Sequence, residues 1–159
     1  MRDPHRWPDD RQRPLTEKGL AKTQRACAGL VRLEPGVALI LSSPLVRCAQ
    51  TAECLREAAG ADVTVTPTDS LAPGGSWREA LAELESTAET GTIVLCGHEP
   101  DLGKLAGVLL FGAPAALPLG KAGACSIDFE ARCAPGKGGL RWFLPPRALR
   151  RFARHGSKV

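Results

Sequence analysis

Two five-residue runs read as buried strands, VALIL (37–41), apolar throughout, and TIVLC (92–96), apolar after its threonine, and each empties into a polar turn followed by a helix-like pattern. A strand with no polar side must be covered on both faces, which is the habit of parallel strands lying between helix layers. Parallel neighbours need long crossover connections, and the intervening sequence supplies helices for them. Thr16 is placed to cap a helix whose face carries Leu20, Cys27, Leu30 and Val31, and Glu34-Pro35-Gly36 ends it. Ser42-Ser43-Pro44 opens a second helix that runs to about Ala59, with the proline at a tolerated first-turn position. VTVTP (63–67) reads as a short strand, and Trp77 to Glu89 as an amphipathic helix with Trp77, Leu81 and Leu84 on one side. GHEPDL (97–102) leads into a helix reaching about Phe111. ACSIDFE (124–130) and GLRWFL (139–144), joined by the turn-rich APGKGG, read as a hairpin-like pair ended by Pro145-Pro146. The predicted fold class is α/β, a three-layer α/β/α sandwich.

Composition narrows the setting. A chain of 159 residues suits one domain with a substantial core. No apolar run approaches the ~20 residues that span a bilayer, so membrane association is not expected. The first residues, MRDPHRWPDDRQRP, lack the apolar centre of a secretory signal, and the cytoplasm is the expected compartment. The six cysteines form no C-x-x-C pair and sit among apolar neighbours, as buried thiols do in a reducing compartment. Neither His5 nor His98 has partners at zinc spacing. From Arg141 onward there are six basic residues and no acid, against a net charge of +4 for the whole chain. Such a basic face is usually solvated, and without aromatic interleaving or a recognised motif nucleic acid is an unlikely partner.

Chemistry concentrates at two turns. VALIL runs into SSPLVRCAQTA (42–52), and TIVLC runs into GHEPDL. In an open α/β sheet, ligands gather beyond the carboxyl ends of the strands, where helix N-termini favour anions. Arg47 lies early in one helix, and His98 directly follows the other strand. A guanidinium and an imidazole sharing one anion-favouring crevice point to phosphate. Gly97 fits a close approach of backbone to ligand. Taken singly, Arg47 reads as a surface arginine and Glu99 as a solvated acid, while His98 reads equally as a functional imidazole or as a cap for a neighbour.

Five segments in order, RPLTEKG (13–19), SSPLVRCAQTA (42–52), LAPGG (71–75), GHEPDL (97–102) and LRWFLPP (140–146), resemble the histidine phosphatase superfamily, and within it the small SixA-type phosphohistidine phosphatases. The resemblance implies a phosphoglycerate-mutase-like fold. It also implies hydrolysis of phosphohistidine on a signalling or phosphotransfer protein through a phosphohistidine enzyme intermediate. Arg47 then matches the second phosphate-binding arginine, and His98 the second, catalytic histidine of the pocket. Glu99 is the candidate proton donor. No metal or organic cofactor is implied, and the partner is a phosphorylated protein or a small phosphomonoester.

The chain departs from that pattern at one point. The family opens with an apolar strand ending in R-H-G, whose histidine attacks phosphorus, whereas here Met1 is followed at once by the loop-like RDPHRWPDDRQ. The expected fold therefore lacks its first central strand, with residues 1–146 as an incomplete phosphatase domain and 147–159 as a basic tail. His5 sits among prolines with no strand to aim it. Arg154-His155-Gly156 repeats the tripeptide, which makes His155 a candidate nucleophile. The preceding ALRRFA, however, would bury Arg150 and Arg151 in a central strand, and it reads better as a short, solvated basic helix. Truncation is the preferred explanation of the departure. The alternative is a non-catalytic module that holds phosphate or phosphoproteins.

Overall fold

A computed structural model describes residues 7–60, 62–87 and 91–153. The helix announced by Thr16 is α1 (Glu17–Leu33), and the Thr16 hydroxyl accepts from the Gly19 N–H as an N-cap should. Strand β1 (Val37–Ser42) follows, then α2 (Val46–Ala59), β2 (Thr64–Pro67), α3 (Trp77–Ser86), β3 (Thr92–Cys96) and α4 (Asp101–Phe111). The antiparallel pair is β4 (Ala124–Asp128) with β5 (Gly139–Leu144), and α5 (Pro146–Phe152) closes the described chain.

Strand β1 is central, with β2 and β3 parallel on either side in the order β2-β1-β3. Its side chains alternate between two cores. Ile40 packs with Cys27, Ala52, Cys54, Leu55 and Cys96 on the α1–α2 side. Leu39 and Leu41 pack with Leu71, Leu81, Leu105 and Leu109 on the α3–α4 side. A strand apolar on both faces has thus been covered on both faces, giving the α/β/α layering. Strands β4 and β5 form a separate two-stranded sheet. On the other side of the three-stranded sheet, β3 pairs only with β1 among the described residues, and most of it is half-buried.

Several boundaries differ from the sequence reading. Helix α2 starts at Val46, so Pro44 lies outside it. Ser43 is instead committed to the turn, its N–H bonded to the Cys96 carbonyl and its hydroxyl accepting from the Leu45 N–H. Helix α3 stops at Ser86, and the remainder of the span expected to reach Glu89 falls partly outside the described residues. The loop before α1 contains a short 3-10 turn, Asp10–Gln12, capped by the Asp9 carboxylate.

The basic helix foreseen near the end is present as α5, but one side of it is not solvated. Leu149 is fully buried, and α1 presents Gly29 to it, where a Cβ would collide with the Leu149 carbonyl. Arg32 of α1 donates to the Phe152 and Ala153 carbonyls, tying down the C-terminal end of α5. Glu34, buried at the end of α1, accepts from the Trp142 indole and pairs with Arg141, fastening β5 to the same helix.

Candidate phosphate site

Backbone bonds gather the strand ends. The Ser43 N–H bonds the Cys96 carbonyl at 2.8 Å, and the Thr68 N–H bonds the Ser42 carbonyl at 2.8 Å. The turns leaving β1 and β3 are therefore held side by side beyond the carboxyl ends of the parallel strands. Gly97 passes close under Leu71 and Leu102, where a larger residue would crowd both.

This stitching brings together residues 51 apart in sequence. Arg47 Nη2 lies 3.3 Å from His98 Nδ1, and Ser43 Oγ lies 3.0 Å from His98 Nε2. A guanidinium can only donate, so Nδ1 is the accepting nitrogen and Nε2 carries the proton, which it gives to the Ser43 hydroxyl. The imidazole is thus held in its neutral form. Burial, reinforced by the adjacent Arg47 charge, holds its pKa below the usual histidine range. Cys48 Sγ sits 3.4 Å from His98 Nε2 and donates to the Gly97 carbonyl. Burial pushes this thiol up, which keeps it protonated.

The cationic side of the site already faces an anion. Asp10 Oδ2 is 3.2 Å from Arg47 Nη2, and Arg47 Nη1 donates to the Asp10 backbone carbonyl at 2.8 Å. The other carboxylate oxygen binds Arg13 Nε at 2.7 Å. Arg47 and Arg13 therefore converge on one carboxylate, with His98 packed against Arg47, and a tetrahedral oxyanion would compete for the same guanidinium donors.

Of the residues singled out from sequence, Arg47 and His98 are brought into contact. Glu99 turns toward α4, where its Oε1 accepts from the Gly103 N–H, and burial raises its carboxyl above the usual range. His155 and His5 lie outside the described residues. Sequence reading missed Ser43, Asp10 and Arg13 as members of the cluster. Ser43 stood inside a segment already singled out, whereas Asp10 lies in a loop with no periodicity to mark it.

Residues 5–72 match the model of the histidine phosphatase superfamily (branch 1). That segment is similar to the histidine phosphatases. An uncharacterized protein of Picosynechococcus sp. is 41% identical over 110 residues, which are 67% of this chain and 65% of that protein. The chain thus spans somewhat under two thirds of this relative's length. Over most of the chain the fold is that of solved histidine phosphatases. The structure of the protein histidine phosphatase SixA complexed with tungstate superposes with a TM-score of 0.72 at 24% identity, covering 89% of each chain. A SixA structure from Nakamurella multipartitia gives 0.70 at 21% identity, covering 86% of this chain and 87% of that one. One from Agrobacterium tumefaciens gives 0.62 at 23%, covering 86% of both. Among the described residues no helix is long and apolar enough to cross a membrane.

Proposed function

We propose that this domain acts on phosphohistidine carried by a phosphotransfer protein, hydrolysing its N–P bond in the manner of SixA-type phosphatases. The contact between Arg47 and His98 at the carboxyl ends of β1 and β3 carries the reading. Arg47 sits in the first turn of α2, where the free N–H groups and the helix dipole add to its charge. Its planar fork would bind two phosphoryl oxygens in a paired arrangement. His98, once an anion sits beside it, would gain a proton and oppose the charge that builds on the transferring group. The match of residues 5–72 to the superfamily, and the tungstate held by a SixA protein of the same fold, support an oxyanion as the ligand.

In this reading a histidine nitrogen attacks phosphorus and the substrate imidazole leaves with a proton. Water then cleaves the enzyme's own N–P bond. An imidazole is a good leaving group, so the demand on a general acid is small, and Glu99 can keep accepting from the Gly103 N–H in the first turn of α4. His98 is the one histidine among the described residues, and it is engaged by Ser43 and Arg47. The attacking histidine that the family carries in its R-H-G strand has no counterpart among them, so turnover by this chain is the point the test decides.

The test is phosphate release from a phosphohistidine-bearing domain by residues 1–159, beside Arg47→Ala, His98→Ala and His155→Ala. Turnover abolished by Arg47→Ala and His98→Ala in folded protein supports hydrolysis at this site, and loss in His155→Ala as well would identify the nucleophile. Saturable binding of the phosphorylated domain without phosphate release would assign the chain to phosphoprotein binding instead.

A further inference from the structure

We propose that the hollow between α1 and α5 is a second anion site, shaped for a linear di- or triphosphate group. Arg25 from α1 and Arg147, Arg150 and Arg151 from α5 line a hollow of about 180 Å³. None of these four belongs to the Ser43–Arg47–His98 cluster. Their positions follow from the docking of α5 rather than from chance exposure. Leu149 is buried against α1, Gly29 lets the two backbones approach, and Arg32 holds the last carbonyls of α5. Arg25 is itself oriented by a bond from its Nε to the Ala21 carbonyl at 3.3 Å. The four residues thus line one space on backbones held in place by that docking.

Charge and size select the ligand class. Guanidinium remains charged across the accessible pH range and offers paired donors to phosphate oxygens. Arg25, Arg147 and Arg150 alone carry more charge than a single phosphate neutralises and suit a di- or triphosphate. The volume corresponds to about six water molecules, and it falls well below the ~300 Å³ at which pockets for drug-sized organic ligands begin. A phosphate chain fits that room, and any nucleoside attached to it would project outward. The chemistry is shared by free inorganic oligophosphate and by nucleoside triphosphates.

The experiment is calorimetric titration of the full chain with sodium tripolyphosphate, and separately with ATP, at low salt and without divalent metal. Arg147→Glu, Arg150→Ala and Arg47→Ala are titrated beside the parent. Arg147 is exposed, so its reversal leaves the fold intact, as circular dichroism would check. The proposal expects tripolyphosphate to bind with one site in this hollow and to weaken about ten-fold or more in each α5 variant, because a paired charge-assisted contact is lost. It expects Arg47→Ala to retain that site, and added salt to weaken it. Equal affinity for ATP and tripolyphosphate would identify the phosphate chain alone as the ligand, and tighter ATP binding would identify a nucleotide. Absence of binding, affinity unchanged in the α5 variants, or orthophosphate titrated into Arg47→Ala binding as tightly as tripolyphosphate would overturn it.

Discussion

Asp10 Oδ2 lies 3.2 Å from the guanidinium of Arg47, so the candidate phosphate site holds a carboxylate from its own chain. The second oxygen engages Arg13, and the turn that carries Asp10 is fixed by Arg47 bonding its backbone carbonyl. An incoming oxyanion has to displace this carboxylate from Arg47 before it can use the fork. Replacing Asp10 by asparagine keeps the size of the side chain and removes the competing charge. The pair is partly exposed, which limits its strength to about 1 kcal/mol. Asp10→Asn should accordingly bind sulfate or phosphate about five-fold more tightly, as measured by calorimetry. Unchanged or weaker binding would show that Asp10 organises the site rather than guarding it.

The protonation state of His98 gives a second expectation. Its pKa is held below the usual value by burial first and by Arg47 second, with Asp10 and Asp101 acting in the opposite direction and Arg13 alongside Arg47. The free site therefore holds a neutral imidazole near pH 7, while a bound dianion favours imidazolium. Binding should take up a proton. Sulfate keeps its charge over this range, so its affinity should rise as pH falls from about 8 to about 5.5, by at most ten-fold per pH unit. His98→Gln should flatten that dependence. The sign for stability is opposite: the unfolded chain protonates His98 more readily, so its contribution favours the fold above the usual value of about 6.5 and is lost as pH falls through the depressed folded value.

The docking of α5 makes a third. Leu149 is among the most deeply buried large side chains, and Gly29 lies under its carbonyl. Leu149→Ala removes buried methyl groups and leaves a cavity, at a cost of about 2–5 kcal/mol. Gly29→Ala gains helix propensity but forces α5 away from α1, and overpacking against a backbone atom costs about 1–3 kcal/mol. Both should lower the urea midpoint with little change in slope. A Gly29→Ala protein more stable than the parent would mean that α5 is not held in this position.

Much of this architecture was legible in local sequence. VALIL and TIVLC announced strands covered on both faces, and β1 does divide its side chains between two cores. Thr16 and Glu34-Pro35-Gly36 marked the ends of α1 to within a residue, because capping and helix termination are decided by adjacent residues. Arg47 and His98 stood out because each follows a strand that the pattern identifies. What stayed hidden depends on contacts between distant segments. Nothing in PDDRQRP tells that Asp10 will meet Arg47 thirty-seven residues on, since a loop acid is ordinarily solvated. The start of α2 was placed too early because Pro44 suits a first helical turn, yet the N–H of Ser43 before it is spent on Cys96 of a strand far away in sequence. The division of the strands into two sheets is likewise a matter of pairing, which strand patterns do not encode.

The most direct test of the account follows the His98 imidazole by NMR while inorganic phosphate is added to the intact chain at pH 7. If Arg47 and His98 form one phosphoryl site, the ring signals of His98 should move saturably toward those of imidazolium. The movement should vanish in Arg47→Ala and persist in Arg147→Glu. His98 signals that stay in place while phosphate is added, or that move equally in Arg47→Ala, would contradict it.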